Sequence, residues 1–208
     1  MTTFEHAMLG IDGVLAVGLD RRWGWSLCAM AAVASAFPDW DGLTILGGAS
    51  LFAAGHRIWG HALIVCLSVA AIFAMLDYRY DLMTRSARFF VRVTRLTIPN
   101  TQLTARTDFS PYGFAIWIVV AMAATVSHLI GDIVVSGTAE LADWSIQPFW
   151  PFCKKGLVFP LVPWGDPGIS IIFFVGMFAM LRWKHRIQTI AIVTLLAVAV
   201  YAAIRGSL

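Results

Sequence analysis

PYGFAIWIVVAMAATVSHLIGDIVV, residues 111–135, is a run of apolar side chains interrupted by one histidine and one acid. About 20 apolar residues carry a helix through the hydrocarbon core of a bilayer, so this stretch predicts a membrane span. His128 and Asp132 stand four apart, which places them on one face of that helix. Ionisable side chains within a span are costly and face the bundle interior, where something pairs with them. Two expectations arise together: a helical membrane protein, and a polar site held inside it.

The rest of the chain agrees. Of its 208 residues 59% are hydrophobic and 13% charged, whereas soluble domains carry about 45–50% and about 25%. Mean hydropathy is +0.77. Candidate spans lie at 4–20, 23–37, 59–76, 111–135, 169–181 and 187–204. The expected fold is all-α: a polytopic transmembrane helical bundle of about 5–6 spans, one membrane-embedded domain over residues 1–208. Segment 42–55, GLTILGGASLFAAG, is apolar but short and Gly-rich, as a re-entrant or interfacial piece would be. The N-terminal MTTFEHAMLG has no basic n-region and does not read as a cleavable signal peptide.

Lys and Arg set the orientation. The linker 77–110 holds Arg79, Arg85, Arg88, Arg92, Arg95 and Arg106 against Asp77, Asp81 and Asp108. Arg21 and Arg22 separate the first two spans, and Arg182, Lys184 and Arg186 the last two. If all six segments cross, these clusters share one side, the cytoplasm by the positive-inside rule. The N-terminus, the 38–58 loop and the 136–168 loop then lie outside. The net charge of +3 follows from insertion, and no nucleic-acid partner is inferred. Within the linker, RSARFFVRVTRLT reads either as a solvated loop or as a basic amphipathic segment on anionic headgroups.

The outer loop 136–168 is rich in Trp, Phe and Pro and is expected to be irregular. It reads as an interfacial cap with Trp144, Trp150 and Trp164 at headgroup depth, or as a grip on acyl chains with Lys154 and Lys155 near phosphates. Cys28, Cys66 and Cys153 are odd in number and lack CxxC spacing, so neither a disulfide framework nor a cysteine metal site is expected.

On this topology His6, Asp39, Asp41, His56, His61, His128 and Asp132 all fall at the outer end, while His185 sits among cytoplasmic basic residues. Each has an ordinary alternative: an exposed His6, a Pro38–Gly42 turn, a headgroup anchor at His56 and Arg57. Jointly they supply nitrogen and oxygen ligands without thiolates, which suits one or two divalent ions, Zn²⁺ first and Mn²⁺ next. His128 can ligate a metal with Asp132 as second ligand, be oriented by Asp132, or simply bond to it between helices. His56 and His61 are five apart, about 140° on a regular helix. They can serve one site if His56 lies in the entry loop and His61 on the helix. Arg57, with its planar fork, suits a phosphate or carboxylate.

The order of motifs resembles a known family. His6 with Gly10, FPDWDG, GHRIWGHAL, SHLIGD and the late QPFWPF are similar to the YdjM-type family of membrane-bound, metal-dependent hydrolases, over residues 6 to 152. The resemblance implies a helical inner-membrane protein of prokaryotes. It also implies metal-dependent hydrolase activity, with a looser similarity to zinc-dependent phospholipase C and P1-type nucleases that suggests phosphoester chemistry. Its motif positions fall on His6, Asp39, Asp41, His56, Arg57, His61, Ser127, His128 and Asp132. Departures stand at Gly42, where members often have histidine, and at Gly60 and Ala62, where they often have threonine and serine around the histidine. A late threonine is matched loosely by Ser136 or Thr138.

The expected function is a metal-dependent hydrolase cleaving an ester or phosphoester of a lipid or lipid-linked substrate at the outer face of the inner membrane. His6, Asp39, Asp41, His61, His128 and Asp132 would form the metal shells. Asp41, as an unbound carboxylate, or His56 would act as base, and Arg57 would hold the anionic group. The alternatives are a transporter or metal/proton conduit using intramembrane His and Asp, and a non-enzymatic scaffold with a structural metal.

Overall fold

The structure is a computed structural model that describes residues 1–95, 105–107, 109–136 and 145–207. Asp108, Thr138 and Trp144 lie outside the described residues, as do the middle of the 77–110 linker and the start of the outer loop.

Local chemistry sets the helix boundaries. Helix α1 (Thr3–Ala16) opens on a reciprocal cap: the Thr2 hydroxyl accepts from the Glu5 N–H and the Glu5 carboxylate accepts from the Thr2 N–H. A short α2 (Asp20–Trp23) is split from α3 (Trp25–Ala36) by Gly24, at φ +75°. Next come a 3-10 helix (Phe37–Gly47) and α4 (Ala49–Gly55). Helices α5 (Leu63–Tyr80) and α6 (Leu82–Thr94) meet at Asp81, which is left-handed at φ +52°. Helix α7 (Pro111–Val134) is capped by Ser110, and α8 (Pro167–Arg182) by Asp166. A 3-10 turn (Lys184–Arg186) then leads into α9 (Ile187–Gly206). Among the described residues β pairing is confined to two isolated bridges, Val135 with Val162 and Ile146 with Leu157.

Three helical stretches are long and apolar enough to cross a membrane: Leu63–Tyr80, Pro111–Val134 and Lys184–Gly206. Pro167–Arg182 is apolar but shorter. Helices α1 and α3, with 14 and 12 residues, are shorter still. The first contains Glu5, His6 and Asp12, and the second is stopped by Gly24 and Pro38. Segment 42–55 forms the end of the first 3-10 helix and α4, with Leu43, Ile45, Leu46 and Leu51 exposed.

Six helices alternate in direction, and two sets of contacts show it. At one end His6 of α1 meets Asp132 of α7, and His128 of α7 reaches the Ser35 carbonyl of α3. At the same end Glu5 accepts from Ser170 of α8 at 2.6 Å, and Asp166 before α8 pairs with Arg205 of α9 at 3.1 Å. At the other end Gln188 of α9 donates to the Ala16 carbonyl of α1, and Arg22 lies over Tyr112 at the start of α7. There too the Arg106 guanidinium stacks 3.8 Å from the Trp117 ring, whose indole N–H donates to Asp77. This second end carries the basic clusters.

Between the ends, Leu27, Met30 and Phe173 are fully buried, as is Trp117 toward the second end. Asp12 of α1 is also buried, and neither of its carboxylate oxygens has a hydrogen-bond partner among the described residues. The described part of the outer loop is laced to the first end by backbone bonds. The Phe159 and Leu161 N–H groups donate to Ile133 and Val134 of α7, and the Gln147 N–H donates to the Arg57 carbonyl.

Candidate metal centre

Four chain segments deliver polar side chains to the first end of the bundle: the start of α1, the 37–47 helix, the 56–62 turn and the end of α7. The turn is the least ordinary of these. Arg57 has φ +63°, a left-handed conformation that costs energy in a residue with a side chain. Its neighbours hold it there: the Arg57 N–H donates to Asp41 Oδ2 at 3.0 Å, and its carbonyl accepts from Gln147. The bend lets His56 and His61 converge on one carboxylate. His56 Nδ1 lies 2.7 Å from Asp41 Oδ1, and His61 Nδ1 lies 3.0 Å from Asp41 Oδ2. The expected entry loop for His56 is present. His61, expected on the helix, precedes it, because α5 begins at Leu63.

Hydrogen bonding behind the imidazoles fixes what they present in front. A carbonyl oxygen can only accept, so His128 Nδ1, 2.7 Å from the Ser35 carbonyl, carries the proton and donates it. His61 Nδ1 likewise donates to the Asp41 carboxylate. In their neutral forms both rings then present the Nε2 lone pair forward, the state in which histidine ligates a metal. Those two Nε2 atoms are 3.1 Å apart. Two nitrogens bound tetrahedrally to one zinc ion, at about 2.0–2.1 Å each, would be about 3.3 Å apart. Asp132 Oδ2 is 3.2 Å from His61 Nε2 and 3.5 Å from His128 Nε2, and Asp39 Oδ1 is 3.8 and 3.6 Å from the same atoms.

His6, Asp39, His128 and Asp132 each offer one ligand atom, all within 4.8 Å of one another. His6 stacks on His128 at 3.6 Å between centroids, and its Nδ1 is buried without a hydrogen-bond partner among the described residues. Asp132 Oδ1 is shared by His6 Nε2 at 3.2 Å, the Arg57 guanidinium at 3.2 Å and the Met1 amine. His6, His61, His128 and Asp132 are buried, whereas Asp39, 21% exposed at its side chain, marks the open side of the cluster.

The residues present therefore fit a divalent cation. Three carboxylates, Asp39, Asp41 and Asp132, face two cations, the Arg57 guanidinium and the Met1 amine, which leaves one negative charge to balance when the imidazoles are neutral. Asp41, in the loop outside the spanning helices, stays charged: burial opposes ionisation, but the bonds from His56 and His61 outweigh it and hold the carboxyl below its ordinary range. Both Asp41 oxygens are engaged by His56, His61 and the Arg57 N–H, so it stands behind the cluster. Arg57 is 2% exposed, with its fork on Asp132 and, at 3.4 Å, on the Ser136 hydroxyl.

The structure thus brings all eight sequence-nominated side chains into one neighbourhood. Ser35 was not nominated, since only its carbonyl takes part and no side-chain pattern signals that. Ser136 was noted only as a loose match to a family threonine, and its hydroxyl meets Arg57. Asp12 left a readable signal, a lone acid in an apolar stretch.

Fold and cluster define a helical membrane protein with a buried histidine–aspartate centre. The model of the YdjM inner membrane protein family matches residues 1–207, and the chain belongs to that family. No curated protein and no solved structure matches it.

Proposed function

We propose that this chain is a metal-dependent hydrolase of a lipid or lipid-linked ester or phosphoester, with its centre at the outer face of the membrane. One observation carries the proposal: two imidazoles, each fixed from behind through Nδ1, aim their Nε2 atoms at one point between two carboxylates. His61, His128, Asp132, Asp39 and His6 would hold the ion, and Asp41 orients His61. A divalent cation there would serve as a Lewis acid on a phosphoryl or carbonyl oxygen and lower the pKa of water toward neutrality. His56, its Nδ1–H fixed on Asp41, offers Nε2 as the proton acceptor. Arg57 first fixes Asp132; gripping a substrate phosphate requires its fork to exchange partners.

The orientation rests on reading all six alternating helices as crossings, of which Leu63–Tyr80, Pro111–Val134 and Lys184–Gly206 are long and apolar enough by themselves. With the six helices alternating, every Lys and Arg except Arg57, Lys154, Lys155 and Arg205 falls at the end opposite the centre, and positive-inside then puts the centre outside. The outer loop is the cap over it, with Phe149, Phe152, Phe159 and Trp164 exposed toward headgroups and Lys154 and Lys155 beside them. Cys153 is an exposed free thiol in this cap, while Cys28 and Cys66 are buried. A membrane-impermeant maleimide is expected to label Cys153 on intact spheroplasts. Labelling only after the membrane is broken would reverse the orientation.

The activity is tested by measuring metal in the purified protein, then hydrolysis of phospholipid and phosphodiester substrates. One or two equivalents of a divalent metal and metal-dependent hydrolysis are expected, both lost in His128→Ala. A metal-free protein with no hydrolysis refutes the proposal. The second reading, a proton or cation conduit, is favoured by the unpartnered Asp12 between the two ends. Proteoliposome flux that Asp12→Asn abolishes, in a chain without hydrolysis, would establish it instead.

A further inference from the structure

Helix α6 stands apart from the bundle. It begins after left-handed Asp81 and stops at left-handed Arg95, so it is bent away from α5 at one end and terminated at the other. Its first turn is tied down: the Met83 N–H donates to Asp77 Oδ1 at 2.8 Å and the Thr84 hydroxyl to Asp81 Oδ1 at 2.8 Å. Thr84 is its one buried residue.

Its side chains are sorted by face. At about 100° per residue, Leu82, Phe89, Phe90 and Val93 fall in one half of the helix surface. Arg85, Arg88 and Arg92 fall in the other, with Arg95 following on the same side. Phe89 is 69% exposed, Phe90 59% and Val93 64%. Two phenylalanines and a valine open to water would be an unusual surface for a solvated loop. The helix also lies at the basic end of the bundle, directly after a membrane-spanning helix, where the headgroup layer would be.

We propose that α6 is an in-plane membrane anchor whose partner is an anionic phospholipid leaflet. Phe89, Phe90 and Val93 enter the acyl boundary, and Arg85, Arg92 and Arg95 on the other half pair with lipid phosphates. Charge decides the occupant, because no acidic residue lies on α6 itself and Arg85, Arg92 and Arg95 match a phosphate surface, which guanidinium forks can bind bidentately. This inference does not depend on the metal centre, and a catalytically inert chain would still carry the anchor.

The test is hydrogen exchange of the full chain in nanodiscs of phosphatidylcholine alone and with one quarter phosphatidylglycerol. Amides of residues 85–94 are expected to exchange about tenfold more slowly with the anionic lipid, since each basic residue near such a surface adds to the attraction. Arg85→Gln/Arg92→Gln/Arg95→Gln should abolish the lipid difference while exchange in α7 stays unchanged. Phe89→Ser/Val93→Ser should remove the protection with the arginines intact. Equal exchange in both lipids overturns the proposal. So does protection that is independent of lipid charge but rises with protein concentration, which would identify a second copy as the partner.

Discussion

An Asp132→Ala variant is expected to bind no divalent metal, if the proposed centre holds one, and to unfold well below the wild type. Asp132 is the junction of the centre: one oxygen serves His6 and Arg57, the other faces His61 and His128. Removing it leaves the Arg57 guanidinium, 2% exposed, without its carboxylate. Breaking a buried ion pair from one side costs about 3–5 kcal/mol, because the remaining charge stays buried. Thermal unfolding in detergent and metal content by mass spectrometry measure the two effects. Asp132→Asn separates them: it keeps the volume and one acceptor oxygen, so metal is lost with a smaller fall in melting temperature. An Asp132→Ala protein with full metal content and an unchanged melting temperature would show that the cluster is not a metal centre.

Gly60→Ala is the second large effect. A Cβ at Gly60 would lie 2.6 Å from Asp41 Cγ and Oδ2, closer than non-bonded atoms allow. Asp41 would have to move, loosening its bonds to His61 Nδ1 and the Arg57 N–H. Overpacking of this kind costs about 1–3 kcal/mol, and disturbing a residue that orients a metal-binding histidine lowers affinity about 10- to 100-fold. Gly42→Ala is the control. Its Cβ would meet the His56 ring at 3.6 Å, an ordinary contact, so affinity should stay within about twofold of wild type. Metal titration of the two variants reads the contrast, and equal affinities would remove Asp41 from the centre.

These two glycines show how far the sequence could be read. Both depart from residues that the family resemblance implies, and both read from sequence as losses. In the fold they differ: the space beside Gly60 is filled by the Asp41 carboxylate, whereas Gly42 faces the His56 ring with room to spare. Such a difference depends on which carboxylate packs against which backbone, and linear spacing carries no trace of it. The long helices were legible because hydropathy is a local property: 111–135 became α7 at Pro111–Val134, and 187–204 became α9 at Ile187–Gly206. The short α1 and α3 were harder, since Glu5, His6 and Asp12 dilute the apolar signal in one and Gly24 and Pro38 bound the other. Of the centre, the Ser-His-x3-Asp spacing announced a shared helix face. The bend at Arg57 and the Ser35 carbonyl behind His128 belong to tertiary structure, where backbone groups of any residue type can serve.

The distance along the chain between His6 and Asp132, 126 residues, also sets a schedule. At about 5–20 residues per second of synthesis, roughly 6–25 s separate the emergence of the two. Throughout that interval α1, α3 and the 56–62 turn are made while their shared carboxylate does not yet exist. The full set of side chains around any ion the cluster would hold is therefore complete only after α7 has been made. The early segments meet first through apolar packing and the bonds of His56 and His61 to Asp41, and Asp132 joins them only when α7 arrives.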